Sequence, residues 1–409
     1  MRIIGVAGFL TLLAVTVILV VLVTWPQGNQ LGTPVAVGRH PWAVALDEGT
    51  QHAFIVNNLS NTVSVLDLTT ATLMRTVPVG LSPNAVTVDT RRRRAIVTNQ
   101  MLTPSSTAGS ISILDTESGR LLRTIKIAGS PIAVACDEAV GRSFVVLASG
   151  AIVVIETSSG VRLATVQVGH APATMVLDSR QHRLFLTDRK GVVRVLSTRT
   201  TRMLMSIRAG QSPFALATDE RTGHIFIGDR GTAPTRVFMV DGHTGRLLRT
   251  VGLAPGLDPL QIVVDVRTRR VFVMNGGSIN RPTGTIVTID ADTGRFVNST
   301  PVGGNPSDIV VESDTQRVYV ANADSNSVSV LDAHNGQQAH VAPVMNDPVL
   351  LAVDRPTHRA IVVGFDYNNG PPPARNATLF DHLMERLRAI GSVNRVGGTA
   401  RILDTHTLR

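Results

Sequence analysis

Among 409 residues there is one cysteine, Cys136, and only Lys126 and Lys190 of the 39 basic residues are lysine. A single cysteine excludes an intrachain disulfide, a CxxC redox pair, a CxxCH haem attachment and any zinc knuckle. It lies in the apolar run Ala133-Val134-Ala135-Cys136, where it reads as a small buried hydrophobe. No cysteine directly follows the first apolar segment, as a bacterial lipoprotein would require. Aromatic residues make up 4% of the chain and charged residues 17%. No HExxH, GxSxG or phosphate-cradling glycine loop occurs, so the commonest hydrolase and nucleotide signatures are missing. Helix formers are few against 35 glycines and 21 prolines, a balance that favours short strands and tight turns. With 43% hydrophobic residues the chain has enough apolar surface to fold. The formal charge of +9 is carried by 37 arginines.

Ile3 to Thr24 is free of charge, preceded only by Arg2 and followed by Trp25-Pro26. About 20 apolar residues span a bilayer core, and a tryptophan suits the interface. Residues 1–25 therefore read as a signal anchor, a single transmembrane helix, with 26–32 as a linker. Met1 is expected on the cytoplasmic side and the rest outside, at the cell membrane, or secreted if the segment is cleaved.

From residue 33 to the end one pattern recurs. Its units open on Pro41, Pro83, Pro131, Pro172, Pro213, Pro259, Pro306 and Pro348. Six positions after each stands an acid: Asp47, Asp89, Asp137, Asp178, Asp219, Asp265, Glu312 and Asp354. Sixteen positions after, six of the eight carry Asn or Asp. Between these landmarks lie apolar or alternating runs such as Ala53-Phe54-Ile55-Val56, bounded by turn residues, which read as strands. Four strands, A to D, fit each unit. A period of about 40 to 50 residues with four strands is a β-propeller blade.

The wording of the unit carries a family resemblance. Val318-Tyr319-Val320-Ala321-Asn322 with Asn326-Ser327-Val328-Ser329-Val330-Leu331-Asp332 closely resembles the YVTN repeat, as do Ile96-Val97-Thr98-Asn99 and Thr62-Val63-Ser64-Val65-Leu66-Asp67. The resemblance covers 33–409 and implies a propeller of the kind found in surface-layer and other extracytoplasmic proteins (YncE-like). Related propellers serve as lactonases or as haem d1-type and quinone-type oxidoreductases, so it implies a fold and not a chemistry.

The last unit has strands A, B and C but no D, whereas Thr33-Pro34-Val35-Ala36-Val37-Gly38 is a D-like strand with no blade before it. Pairing the two closes a ring of eight blades and removes an exposed edge. A seven-bladed ring with a degenerate unit is the alternative. The expected fold is thus all-β, one propeller at 33–409 after an N-terminal helix.

Extra residues fall mostly between strands B and C, hence on one face, the usual binding face of such repeats. The largest insertion, 366–397, begins with Tyr367 and then places Leu379, Phe380, Leu383, Met384, Leu387 and Ile390 at helical spacing. Asn58, Gln100, Asp324, Tyr367, Phe380 and Met384 are the candidates for contacting a protein or cell-envelope polymer there. The opposite face, with the A–B and C–D turns, collects 22 arginines. Of these Arg91, Arg92, Arg93, Arg94, Arg269 and Arg270 are the candidates for facing anionic headgroups. Nucleic acid is disfavoured, since no aromatics interleave with the arginines.

The recurring acids, Asn/Asp residues and turn histidines are expected to hold turns, because a ring needs that once per blade. No catalytic residue, metal ligand or cofactor is expected, and the reading is a monomeric binding module without catalysis of its own. The alternative is a lactonase-like enzyme or a haem d1-type or quinone-type oxidoreductase propeller, whose haem-binding form would draw on His40, His170, Arg39, Arg189 and Arg230 near the ring's mouth.

Overall fold

A computed structural model describes residues 34–100, 108–169, 172–188, 190–231, 234–276, 283–344, 347–366 and 397–404. The chain divides into Met1–Leu31 and Gly32–Arg409. The expected anchor at 1–25, the linker and the helical stretch inside 366–397 lie outside the described residues. Among the described residues no helix is long and apolar enough to cross a membrane.

The described residues form eight four-stranded antiparallel sheets. Blade 1 is typical, with strand A at Pro41–Asp47, B at His52–Asn57, C at Thr62–Asp67 and D at Thr72–Pro78. In the eighth blade A is Pro348–Asp354, B is Arg359–Asp366 and C is Gly397–Asp404. Its D strand is Val35–Val37 from the other end of the chain, paired Val35 to Ala400 and Val37 to Gly398. The innermost strands touch in a cycle that returns from Pro348–Asp354 to Pro41–Asp47. The propeller is eight-bladed and closed as the sequence implies.

The opening proline has a structural task in all eight blades. Strand A slips register between that proline and the second residue after it, for example between Pro131 and Ala133. A proline has no N–H to give a ladder, so it suits a bulge at the start of a strand. The bulge bends strand A where it enters the wall of the central channel.

Strands B and C are apolar on both faces because each blade is sandwiched between two others. In strand B of blade 1, Phe54 and Val56 pack with Ala95, Val97 and Leu114 of blade 2. The alternate residues, Ala53 and Ile55, pack with Ile361, Val363, Ala400 and Ile402 of blade 8. This is the two-residue period of a strand put to use on two neighbours at once. Thirteen positions after the opening proline stands Phe54, Phe144, Phe185, Phe226, Phe272 or Tyr319 in six blades, each at most 1% exposed. The scarce aromatics are thus concentrated at one inter-blade position.

Cys136 is buried between blades, 3.5 Å from Asp89 Oδ2 and 3.6 Å from Thr157 Oγ1. Burial pushes its thiol up to about 12, with the nearby Asp89 charge adding to the effect. The native protein at pH 8 should leave Ellman's reagent unreacted, and one thiol should appear on unfolding; rapid labelling of folded protein would refute this.

The closing strand yields a second prediction. Val35 and Val37 are half-buried against the blade 8–blade 1 core. At ~1 kcal/mol for each valine and ~1 kcal/mol for each lost ladder bond, removing residues 1–38 should cost about 3–5 kcal/mol. It should also expose the edge of Gly397–Asp404 and produce oligomers, whereas removing 1–31 should leave the melting temperature unchanged. Calorimetry with light scattering separates the two.

Candidate functional site

The two faces of the ring differ in kind. On the turn face all eight A–B connections have the same length, from Asp47–His52 to Asp354–Arg359. Each also holds a left-handed residue at one place: Gln51, Arg93, Gly141, His182, Gly223, Arg269, Gln316 and His358. Six of these are not glycine, a backbone cost of ~1 kcal/mol each. The buried acids at the ends of strand A offset it. Asp89, Asp178 and Asp219 each accept from an amide two or three residues on, at 2.9 Å.

The same acids reach across blades. His182 Nδ1 lies 2.8 Å from Asp137 Oδ2, which also accepts from Thr198 Oγ1 at 2.6 Å. His358 Nδ1 lies 2.8 Å from Glu312. Glu312 is the one glutamate in the series, and its Oε2 accepts from the hydroxyl of the fully buried Tyr319 at 2.9 Å. The first residue of strand B completes the clamp. His52 Nδ1 meets the carbonyl of Thr116 at 2.7 Å, Arg142 donates to Thr198 O at 3.1 Å and Arg270 to His334 O at 2.8 Å. Arg183 and Arg359 reach Gly242 O and Leu68 O in the same way. These bonds give the repeating histidines and acids a structural occupation.

The six arginines selected as membrane-facing are all ion-paired. Arg91 lies 3.8 Å from Glu138, Arg92 3.1 Å from Asp89 and Arg94 3.1 Å from Asp115. Arg269 is 3.1 Å from Asp292 and Arg270 is 2.7 Å from Asp290, while Arg93 bonds Glu117. Their charge is largely answered within the ring.

On the loop face the B–C connections run from three residues, between Leu147 and Ala151, to thirty, between Asp366 and Gly397. His170, Arg189, Tyr367, Phe380 and Met384 lie outside the described residues. Asn58, Gln100 and Arg230 prove to share one repeat position, directly after strand B. Their amides donate to the carbonyl preceding the opening proline: Asn58 to His40, Gln100 to Ser82 and Arg230 to Ser212. Asn58 and Arg230 also reach the next blade, bonding the carbonyls of Pro83 and Pro259 at 3.0 Å. Asp324 accepts from Asn305 Nδ2 at 3.2 Å. Spatial order around the ring, which no linear motif carries, brings these residues into one circle.

Arg230 is the most enclosed of them. Its Nε is 2.7 Å from Asp258 Oδ1, and its guanidinium carbon lies 3.5 Å from the centre of the Phe214 ring. Burial works against both charges, pulling the guanidinium down and pushing the Asp258 carboxyl up, and each partner offsets part of that. His40 is 8% exposed, and its ring centre stands 5.2 Å from those of both Trp42 and Phe365. His40 is therefore a member of an aromatic stack at the channel mouth. Beneath Asn57, Asn99 and Asn322 the preceding D strands end in Gly38, Gly80 and Gly303. A β-carbon there would sit 2.6–2.7 Å from the asparagine, which explains why the Val-Gly ending and the Asn recur together.

The central channel opens on the turn face into a cavity of about 420 Å³, lined by Val176, Leu216, Ile262, Val263, Ile309, Val310 and Val353, with Glu48 and Arg355 at its rim. Next to Ile309 of that lining, strand A of blade 7 carries a carboxyl, Asp308. Asp308 occupies a position held elsewhere by Ala43, Ala85, Ala133, Thr174, Ala215, Gln261 and Leu350. Its oxygens accept from the amides of Leu351 at 2.7 Å and Ile309 at 2.9 Å. Burial nevertheless pushes its carboxyl up to about 6, against the pull of Leu351, the Gln261 side chain and Ile309. Among the described residues no three His, Cys, Asp or Glu side chains converge to hold a metal.

Comparison with known proteins adds the following. The family model for the outer membrane protein assembly factor BamB matches residues 233–367. BamB from Moraxella catarrhalis superposes with a TM-score of 0.61 at 15% identity, over 81% of this chain and 96% of that one. Dihydro-heme d1 dehydrogenase NirN, in complex with DHE, gives 0.66 at 11% identity, over 94% and 78%. The computationally designed Ika8 protein gives 0.62 at 17% identity, over 80% and 95%. These likenesses are of fold. No curated protein matches the sequence.

Asp308 generates a prediction with a definite sign. Its folded pKa lies above the ordinary 3.8, so the folded state binds the proton more tightly. Its contribution to stability therefore falls as pH rises from about 4 to about 6, by no more than ~3 kcal/mol. Denaturant titrations should show Asp308→Asn gaining on the parent across that window and holding a constant difference above pH 7. A difference independent of pH would show that the carboxyl is ionised throughout.

Proposed function

We propose that this chain is a membrane-anchored, extracytoplasmic β-propeller that binds a protein or cell-envelope polymer through its loop face and performs no catalysis of its own. The observation that carries the reading is that length variation is concentrated on the loop face, above all in the B–C loops, while every A–B turn keeps one length. A ring that varies on one face only offers a specific surface there. The YVTN-like wording of the repeat supports an extracytoplasmic setting, and the partial match to the BamB model supports a protein partner. The uncharged run from Ile3 to Thr24 supports the anchor. The packing of His40 and the internal partners of Arg230 support structural roles for both at the channel mouth.

Residues 367–396 make up the longest B–C connection in the sequence. Replacing them with the four-residue B–C turn of blade 1, Asn58 to Asn61, should abolish cross-linking to the cell-envelope partner in intact cells. Melting temperature should stay within about 2 °C of the parent. Unchanged cross-linking would move the partner site off this loop face.

A further inference from the structure

In blades 1 to 7 the outer strand begins with exposed residues where it leaves the C–D turn. In six consecutive blades a large apolar residue stands there: Leu73, Leu122, Leu163, Leu204, Leu247 and Phe296, exposed by 41, 50, 48, 46, 54 and 57%. Within two residues of each lies an exposed arginine: Arg75, Arg123, Arg162, Arg202, Arg249 and Arg295. None of these six has a carboxylate partner among the described residues, in contrast to the ion-paired arginines of the A–B turns. Blade 7 breaks the series with Gln338, Ala339 and His340. Unanswered positive charge and exposed apolar surface thus coincide on one rim.

We propose that this rim is a membrane-interface contact, and that its partner is a lipid surface bearing anionic phosphate headgroups. Residues at one level of a circular repeat lie in one plane, so a partner that meets six blades together is flat over the width of the ring. A bilayer surface is flat on that scale. Its headgroup layer accepts both an apolar side chain and a guanidinium, whose planar fork bonds phosphate oxygens in pairs. The chain's course agrees. Val35–Val37 runs antiparallel to Gly397–Asp404, with Val37 at the loop-face end of the pair. Val35 therefore stands at the turn-face end of the pair, and in sequence it is preceded by the uncharged run from Ile3 to Thr24. The proposal rests on the extracytoplasmic membrane reading above, but it assigns the contact to the C–D rim instead of the A–B turns.

The test uses the chain beginning at Gly32, which keeps every strand of the closed ring and removes the uncharged run. Flotation with vesicles of phosphatidylglycerol and phosphatidylcholine is compared with phosphatidylcholine alone, at low and high salt. Binding should require the anionic lipid and weaken with salt. Arg123→Gln/Arg162→Gln/Arg249→Gln should lower partitioning on the order of 100-fold, and Leu122→Ser/Leu204→Ser/Phe296→Ser should lower it to a similar degree. Arg91→Gln/Arg93→Gln/Arg269→Gln should leave it within about threefold. All three variants change exposed side chains, and circular dichroism melts confirm that each is folded. No binding to anionic vesicles overturns the proposal, as does equal loss in the A–B turn variant. Rim-dependent dimerisation in sedimentation velocity, without lipid binding, also overturns it by assigning the rim to a second copy. Carbonate extraction of the full chain from cells tests the anchor separately, so the two can fail independently.

Discussion

Each blade of this protein has two apolar faces, and that is the constraint on which the rest depends. Strands B and C alternate their side chains between two neighbours, so a blade with only one neighbour would leave half of its core in water. A row of such blades has no stable end. The ring resolves this by closing, and it closes through a three-residue strand taken from the opposite end of the chain. Val35–Val37 adds little area, but it covers the edge of Gly397–Asp404 and joins the two ends of the ring. The six buried aromatics at one repeat position belong to the same solution. A phenylalanine there fills the gap between neighbouring sheets, and where tyrosine replaces it, a glutamate replaces aspartate to receive its hydroxyl.

Much of this was legible in the sequence because the ring repeats its local chemistry. The opening proline, the acid six positions later and the asparagine near the end of strand B are each tied to a backbone event: a bulge, a turn and a close approach. Events that recur at fixed spacing show in a sequence as soon as units are aligned. The D-like strand at Thr33 to Gly38 was legible as the missing piece of the last blade for the same reason. The aromatic position could have been found by the same counting, since Phe54, Phe144 and Phe185 keep a constant distance from their prolines. It was hidden among other apolar residues of strand B, which look equivalent in one dimension.

What the sequence did not disclose was which side chains answer one another across blades. Arg91 to Arg94 look like an exposed basic run, yet each has a carboxylate within reach in its own or a neighbouring blade. Arg123 and Arg249 look like ordinary strand residues, yet their charges stand beside exposed leucines with no carboxylate partner among the described residues. The formal charge of +9 treats these two groups alike, although only the first is paired with carboxylates among the described residues. The candidates Asn58, Gln100 and Arg230, singled out on different grounds, share one structural position because the path of the chain returns each to the same point of the circle. Distance along the chain carries no information about that.

The two faces differ because the turn face is bound into the ring itself. A change of length in an A–B turn would displace the left-handed residue, the acid beneath it and the clamp to the neighbouring blade, so several bonds would fail together. On the loop face the cross-blade bonds come from the residue immediately after strand B, as at Asn58 and Arg230, and from the start of strand A, as at Asn84 and Ser307. The B–C chain beyond them is free to lengthen. Variation therefore accumulates where it breaks nothing, and a surface that differs from blade to blade suits a partner with features of its own. The rim beside the turns presents an exposed apolar residue with an arginine within two positions of it in six blades. A surface that repeats in this way cannot distinguish one point of a partner from another, and it gains most from a partner that is likewise uniform.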